Sequence, residues 1–291
     1  MVLPLIRATE IVDTLIEVNE RELLRGSFLS KMGHLMLVWK KLAGRKFDLI
    51  LTLHTDPRYR LLSRFCRSDE KRHWGKIGSR YQAQEALQLI GHRDGPTTQQ
   101  PQFPKMHVSL HPELVELVKE PLVVVAPGGG KNVLADECLK RWPIQSYAQL
   151  IQDLSKENIA VAVTGNEGDR WILPHLSGKF HNLIGKLDLL ALIALLERSV
   201  LLITHDSGPL HLAKLAGCPT IALFGPTNPH HFVGKDENIK VVWGGEHLSC
   251  RPCYNGKTFA RCANNVCLSS ISSEYVLKLA LELLQVRSQK T

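Results

Sequence analysis

The sequence predicts an α/β protein: a doubly wound parallel sheet with helices on both faces. Three observations predict it. From Pro121 onward, short apolar runs of strand length alternate with longer segments of helical spacing, which is the βα repeat of a parallel sheet. The runs are continuously apolar, as expected for strands buried on both faces. Glycine and polar residues gather where each run stops, at Gly128–Gly130, Thr164–Glu167, Thr204–Gly208 and Gly225–Thr227, and ligands in such folds bind at the carboxyl ends of strands.

Taken in order, FLSKMGHLMLVWKKLAG carries Leu and Met at helical spacing and stops at Gly44, a C-cap residue. FDLILTLH (Phe47–His54) reads as a buried strand, and YQAQEALQLIG as a helix ending at Gly91. His92–Pro104, rich in Pro, Gln and Thr, reads as a loop or linker. It separates an N-terminal domain over 1–118 from a C-terminal domain over 119–291. In the second domain PLVVVAPGGG is a strand running into a glycine turn. Tyr147–Glu157 is a helix, IAVAVTG a strand, LDLLALIALLERS a helix, LLITHDSG a strand, PLHLAKLAG a helix and TIALFGP a strand.

Composition bounds the function. The chain has 291 residues, 44% of them hydrophobic and 22% charged, enough for two globular domains. No run approaches ~18 apolar residues, so no membrane span is expected. Arg7, Glu10, Asp13 and Glu17 interrupt the apolar N-terminus and exclude a signal-peptide core, so the chain reads as cytoplasmic. The net charge of +8 is concentrated in Arg58, Arg60, Arg64, Arg67, Lys71, Arg72, Lys76 and Arg80, a patch suited to phosphates, an anionic membrane surface or nucleic acid. Few aromatics interleave with it, so base stacking on nucleic acid is not expected.

The stretch THDSGPLHLAKLAG puts Ser207 or Gly208 at a helix N-cap and Pro209 in the first turn. Backbone N–H groups and the helix dipole there attract a phosphate, and Gly208 lets it approach closely. Asp206 can accept from loop amides or sugar hydroxyls, and His211 can point back at the same anion. A capped helix with no ligand is the competing reading. Gly129 and Gly130 form a turn able to wrap a phosphate, although they fit neither the dinucleotide nor the P-loop spacing. Lys140 can neutralise a diphosphate. After the strand ending at Thr164 and Gly165, Glu167 or Asp169 can bind ribose hydroxyls. Cys250, Cys253, Cys262 and Cys267 follow as a C-x2-C-x8-C-x4-C cluster, open to a structural zinc or iron–sulfur site, a disulfide or redox role, or free packed thiols.

PGGG, KRWP, TGNEGD, DSGPLHLA, LFGPTNP and the cysteine-spaced tail ending in CL together resemble glycosyltransferase family 9, whose best-known members are bacterial heptosyltransferases. The resemblance runs over roughly Val123–Leu284, and more loosely over Ile11–Ser68. It implies a GT-B architecture, with two Rossmann-like domains facing across a cleft, the N-terminal one incomplete here. It implies inverting, metal-independent transfer of heptose from ADP-heptose to the lipopolysaccharide inner core. Lys140 would then meet the diphosphate, Glu167 the ribose, and Asp206, Ser207, Gly208 and His211 the phosphate and sugar. Arg58, Arg60 and Arg64 are expected to meet the phosphorylated acceptor at the inner membrane face. The family's opening Gly-Asp loop, which carries its proposed general base, is not found, so no catalytic base is assigned; His54 and Asp56 are the nearest substitutes.

Overall fold

The computed structural model describes residues 2–75, 81–91, 108–129, 137–255 and 258–288. The expected linker at His92–Pro104, together with Lys76, Arg80 and Gly130, lies outside them. The chain opens with helices α1 (Leu3–Thr9), α2 (Glu20–Arg25) and α3 (Phe28–Leu42). Asn19 and Ser27 cap the second and third, each side chain accepting an N–H from the first turn. Strands β1 (Lys46–Thr52) and β2 (Arg67–His73) pair in parallel, joined through a 3-10 turn at Pro57–Ser63. Helices α4 (Gln82–Leu89) and α5 (Pro112–Val115) lead into the second part of the chain.

There the elements are β3 (Leu122–Ala126), α6 (Ile144–Lys156), β4 (Ala160–Gly165), β5 (His181–Ile184), α7 (Leu189–Leu196), β6 (Leu201–His205), α8 (Gly208–Ala216), β7 (Thr220–Phe224), α9 (Pro229–Phe232), β8 (Ile239–Trp243), α10 (Val266–Ser269) and α11 (Ser273–Ser288). Six strands form one parallel sheet in the order β5-β4-β3-β6-β7-β8. Numbered within this sheet the order is 3-2-1-4-5-6, the doubly wound order whose ligand crevice lies where the winding reverses, between β3 and β6.

Period-two alternation builds the core. Val123, Val125, Val161, Val163, Leu201 and Ile203 face one way and meet Tyr147, Leu150, Ile151 and Leu154 of α6 with Val276 and Ala280 of α11. Leu122, Val124, Ala162 and Leu202 face the other way, onto Leu192, Ile193, Leu195 and Leu196 of α7 and Leu212 and Ala213 of α8. Each such fully buried aliphatic contributes about 1.5–3 kcal/mol relative to exposure. Leu5 and Ala8 of α1 also pack against this second face, so the first helix leans on the C-terminal sheet.

Two C-terminal strands, β5 and β8, carry weak sequence signals. HNLI is four residues long, and IKVVW buries only its first and fourth residues deeply. Strand β2, RSDEKRH, has no apolar run at all, and backbone pairing with β1 holds it as an exposed edge. Helix α6 begins at Ile144, three residues before the expected Tyr147, because Pro143 ends the preceding extended segment and Ile144 turns helical at once.

Candidate nucleotide-sugar site

The loops after β3, β4, β6 and β7 meet at the crevice. At the end of β6, Asp206 is 5% exposed. Its Oδ2 takes the hydroxyl of Thr227 at 2.8 Å and the ammonium of Lys140 at 3.2 Å. Lys140 also pairs with Glu137 at 2.9 Å. Its Nζ stands 5.6 Å from the Phe232 ring centre and 5.5 Å from that of Tyr254, a flank of cation–π contacts. Burial pulls the Lys140 pKa down, but Asp206 and Glu137 more than offset it, so the group sits above its ordinary value and stays charged. The Lys140 ammonium is thus held between two carboxylates.

Ser207 occupies the N-cap position of α8, as expected, but its hydroxyl makes no capping bond. It turns inward to the His205 carbonyl at 3.2 Å and shares a bond with Thr204 Oγ1. Gly208 and Pro209 then open the helix at the crevice, and the Gly208 Cα has open space around it. His211 keeps exposed surface, yet the surrounding protein desolvates its ring and holds its pKa below the ordinary value. Asp206 opposes that shift, and Lys214 and Lys140 reinforce it.

Gly129 lies at φ +95, a conformation that favours glycine. Its N–H is taken by Asp169 at 3.1 Å and its carbonyl by Arg141 Nε at 2.7 Å. The turn is therefore braced from both sides, and its contribution at the site is close approach rather than a spare amide. Thr164 is buried at 2% exposure, inside the sheet rather than on the crevice wall. Gly165 ends the same strand. Glu167 is 68% exposed, pairs with Arg170, and crosses over Gly185, whose added Cβ would fall 2.2 Å from its carboxylate. Asp169 has both oxygens on backbone amides, so of the two carboxylates Glu167 is the one with its head in solvent.

Beside β1 and β2 lies a cavity of about 250 Å³. Arg60, Arg64, Lys71, Arg72 and His73 line it together with Thr52 and Ser63. Arg58 is not among them. Its guanidinium grips Asp56 at 2.9 and 3.0 Å and reaches the Leu24 carbonyl, so it braces the 3-10 turn. Arg58 also holds the Asp56 carboxyl below its usual range. His54 stacks on Tyr59 at 4.0 Å and accepts the Asp56 N–H. Neither Asp56 nor His54 stands as an unengaged base.

The four late cysteines are free thiols. Cys253 N and Tyr254 N both donate to the Pro226 carbonyl, which straps this segment onto the loop after β7 and carries the Tyr254 ring to Lys140. Cys262 Sγ accepts from Asn265 N at 3.3 Å, and Cys267 Sγ donates to Asn265 Oδ1 at 3.4 Å. Among the described residues no group of three or more His, Cys, Asp or Glu side chains is disposed to hold a metal ion. Cys253 is within electrostatic reach of Cys250 and Cys262, and Cys267 of Cys253 and Cys262, so the four thiols are neighbours without a preformed metal geometry. Asn265 engages two of the sulfurs, Cys267 is buried, and Cys250 and Cys262 lie at the surface.

Glu137, Phe232 and Tyr254 belong to the site without having been singled out from the sequence. The Gly-Pro-Thr turn pointed to Thr227. Nothing in a cysteine-rich loop marks its tyrosine as a neighbour of a lysine more than a hundred residues earlier.

The profile of Glycosyltransferase family 9 (heptosyltransferase) matches residues 79–263, more than half of the chain. Lipooligosaccharide heptosyltransferase 2 of Haemophilus influenzae is 37% identical over 111 residues, 35% of this chain and 32% of that protein. Its namesake from Campylobacter jejuni serotype O:2 is 28% identical over 154 residues, 50% of this chain and 47% of that protein. The chain thus spans a third to a half of the curated relatives it matches. Among solved structures, the E. coli ADP-heptose lps heptosyltransferase II superposes with a TM-score of 0.66 at 21% identity, over 98% of this chain and 88% of that one. A family 9 glycosyl transferase from Veillonella parvula gives 0.65, also at 21% identity, over 89% and 80%. The fold is accordingly of the GT-B type, with a full doubly wound unit after Pro121 and a smaller α/β unit before it. By sequence profile, the chain belongs to glycosyltransferase family 9.

Proposed function

We propose that the chain transfers heptose from ADP-heptose to the lipopolysaccharide inner core, with inversion and without a metal. The observation that carries this reading is the Lys140–Asp206 pair at 3.2 Å in the crevice where the sheet winding reverses. The acceptor hydroxyl attacks the sugar's anomeric carbon from the face opposite ADP, the bond to the β-phosphate oxygen breaks, and the hydroxyl proton passes to solvent. Lys140 and the amides that open α8 stabilise the charge gathering on the departing ADP. Glu167 holds the ribose. The cation-lined cavity at Arg60 and Arg64 receives the phosphorylated acceptor.

Family membership supports the reaction class, and heptose transfer is what the names of the similar proteins state. No helix among the described residues is long and apolar enough to cross a membrane. Peripheral contact with an anionic inner leaflet, from the cytoplasmic side, is supported by the same arginines and by exposed Phe28, Leu29, Met36 and Leu37 on α3. A second reading is a nucleotide-sugar-binding module of the same fold without turnover. The engagement of Asp56 and His54 in local structure favours it.

The test is release of ADP from ADP-heptose in the presence of a Kdo–lipid A acceptor. Transfer that Lys140→Ala lowers about a hundredfold supports the enzyme reading. ADP-heptose binding with no acceptor-dependent release supports the module. Absence of binding overturns both.

A further inference from the structure

Asp169 is a carboxylate buried at 4% exposure in the 3-10 turn Glu167–His175. One oxygen accepts from Gly129 N at 3.1 Å, at the end of β3, and the other from Asn166 N at 2.8 Å, at the end of β4. Both neighbouring turns are cut to fit it. A Cβ on Gly128 would lie 2.3 Å from the Asp169 carboxyl carbon, and one on Gly165 would lie 3.0 Å from the Asp169 Cβ. The Gly129 turn passes beside Ser207: a Cβ added at Gly129 would stand 3.4 Å from the Ser207 Cβ, an ordinary contact distance. A single side chain therefore ties two strand-end loops together, and the glycine turn it holds lies beside the loop that carries Asp206.

A carboxylate removed from water is retained at a cost unless its bonds return that cost. One of these bonds goes to a glycine turn, the backbone with most freedom to lose, and Arg141 holds the carbonyl of the same glycine from the other side. We infer that Asp169 is the positioning residue of the donor site: it holds the Gly128–Gly129 turn in place against Ser207 so that a nucleoside diphosphate meets a preformed wall. The inference rests on the donor reading given above and assigns Asp169 a role other than ribose binding. With both oxygens occupied, it acts on the phosphates through the backbone and not by contact. Its effect therefore falls on ligands that carry phosphates.

The experiment measures binding of ADP and of adenosine by calorimetry to the full chain and to Asp169→Asn, with far-UV circular dichroism and thermal melts confirming that each variant is folded. Asp169→Asn keeps the volume but presents an NH2 group to one of the two amides. ADP affinity is expected to fall about tenfold or more while adenosine affinity stays within about twofold, a selectivity that general loosening would not produce. Gly128→Ala, which displaces the same carboxylate from the other side, is expected to reproduce the loss. In Asp169→Ala it is expected to add nothing further, because the atom it strikes is gone. Unchanged ADP affinity in Asp169→Asn, or equal losses for ADP and adenosine, overturns the inference while leaving the donor reading standing. A wild-type chain that binds no adenine nucleotide overturns both.

Discussion

The two sheets of this chain are built from the same kind of unit and end up in different states. In the C-terminal sheet every residue of β3, β6 and β7 is buried, and helices cover both faces. In the N-terminal pair, β1 buries none of its residues fully and β2 exposes most of its own. Parallel strands are stable when both faces are covered, and a two-stranded pair cannot supply that cover by itself. The apolar residues that do lie near the N-terminal pair leave Phe28, Leu29, Phe65 and Leu53 more than half exposed. One region is a sheet buried on both faces that carries the strand-end loops of Asp206 and Asp169. The other presents surface, and its charge and apolar side chains are placed for contact with something else.

Truncating buried side chains offers the largest test of that difference. Ile203→Ala, in the centre of the six-stranded sheet, is expected to cost about 2–5 kcal/mol. Ile50→Ala in β1 is expected to cost less than about 1.5 kcal/mol, because the side chain is only half-buried. Urea unfolding of both variants measures the gap, and equal losses would remove the contrast.

The second test uses pH. His205 is fully buried beside the crevice, its Nδ1 bonded to Tyr147 Oη at 3.0 Å and its Nε2 without a partner among the described residues. Burial lowers its pKa from 6.5 to about 4; Asp206 opposes the shift, while Arg141 and Lys140 add to it. The unfolded chain takes up the proton at the higher pH, so stability is complete above 6.5 and is lost as pH falls toward 4. The loss is about 3 kcal/mol at most. His205→Asn is expected to flatten that part of the curve in denaturation measured from pH 7 to 4. A wild-type curve already flat there contradicts the assignment.

The smallest effect separates the thiols. Cys138, Cys250 and Cys262 are exposed, and Cys66, Cys218 and Cys267 are buried. Burial also raises the Cys267 thiol pKa, which lowers its thiolate fraction. Alkylation followed by mass spectrometry is expected to label the first three quickly and the last three slowly. Protection of all four late cysteines together would point instead to a shared ligand.

The same contrast explains what could be read from the sequence. VVV, VAV, LLIT and TIALF announce themselves because burial on both faces demands unbroken apolar runs. Ser207 and Pro209 mark the start of α8 because the chemistry of a helix N-terminus is local. Arg67–His73 is invisible as a strand because its pairing depends on β1 and not on its own side chains. Within the site, Lys140 and Asp206 were legible at the ends of their elements. The ring of Tyr254 over Lys140, the hydroxyl of Thr227 on Asp206 and the diversion of Arg58 to Asp56 were not. Each depends on how loops distant in sequence, or side chains two residues apart, turn toward one another in space.

Calorimetric titration of this chain with ADP, UDP and GDP tests the central claim most directly. The Lys140–Asp206 crevice as an ADP-sugar site predicts saturable binding of ADP, weaker binding of UDP and GDP, and loss of most ADP affinity in Asp206→Ala with the fold retained. Equal affinity for all three, or ADP affinity unchanged in Asp206→Ala, would contradict it.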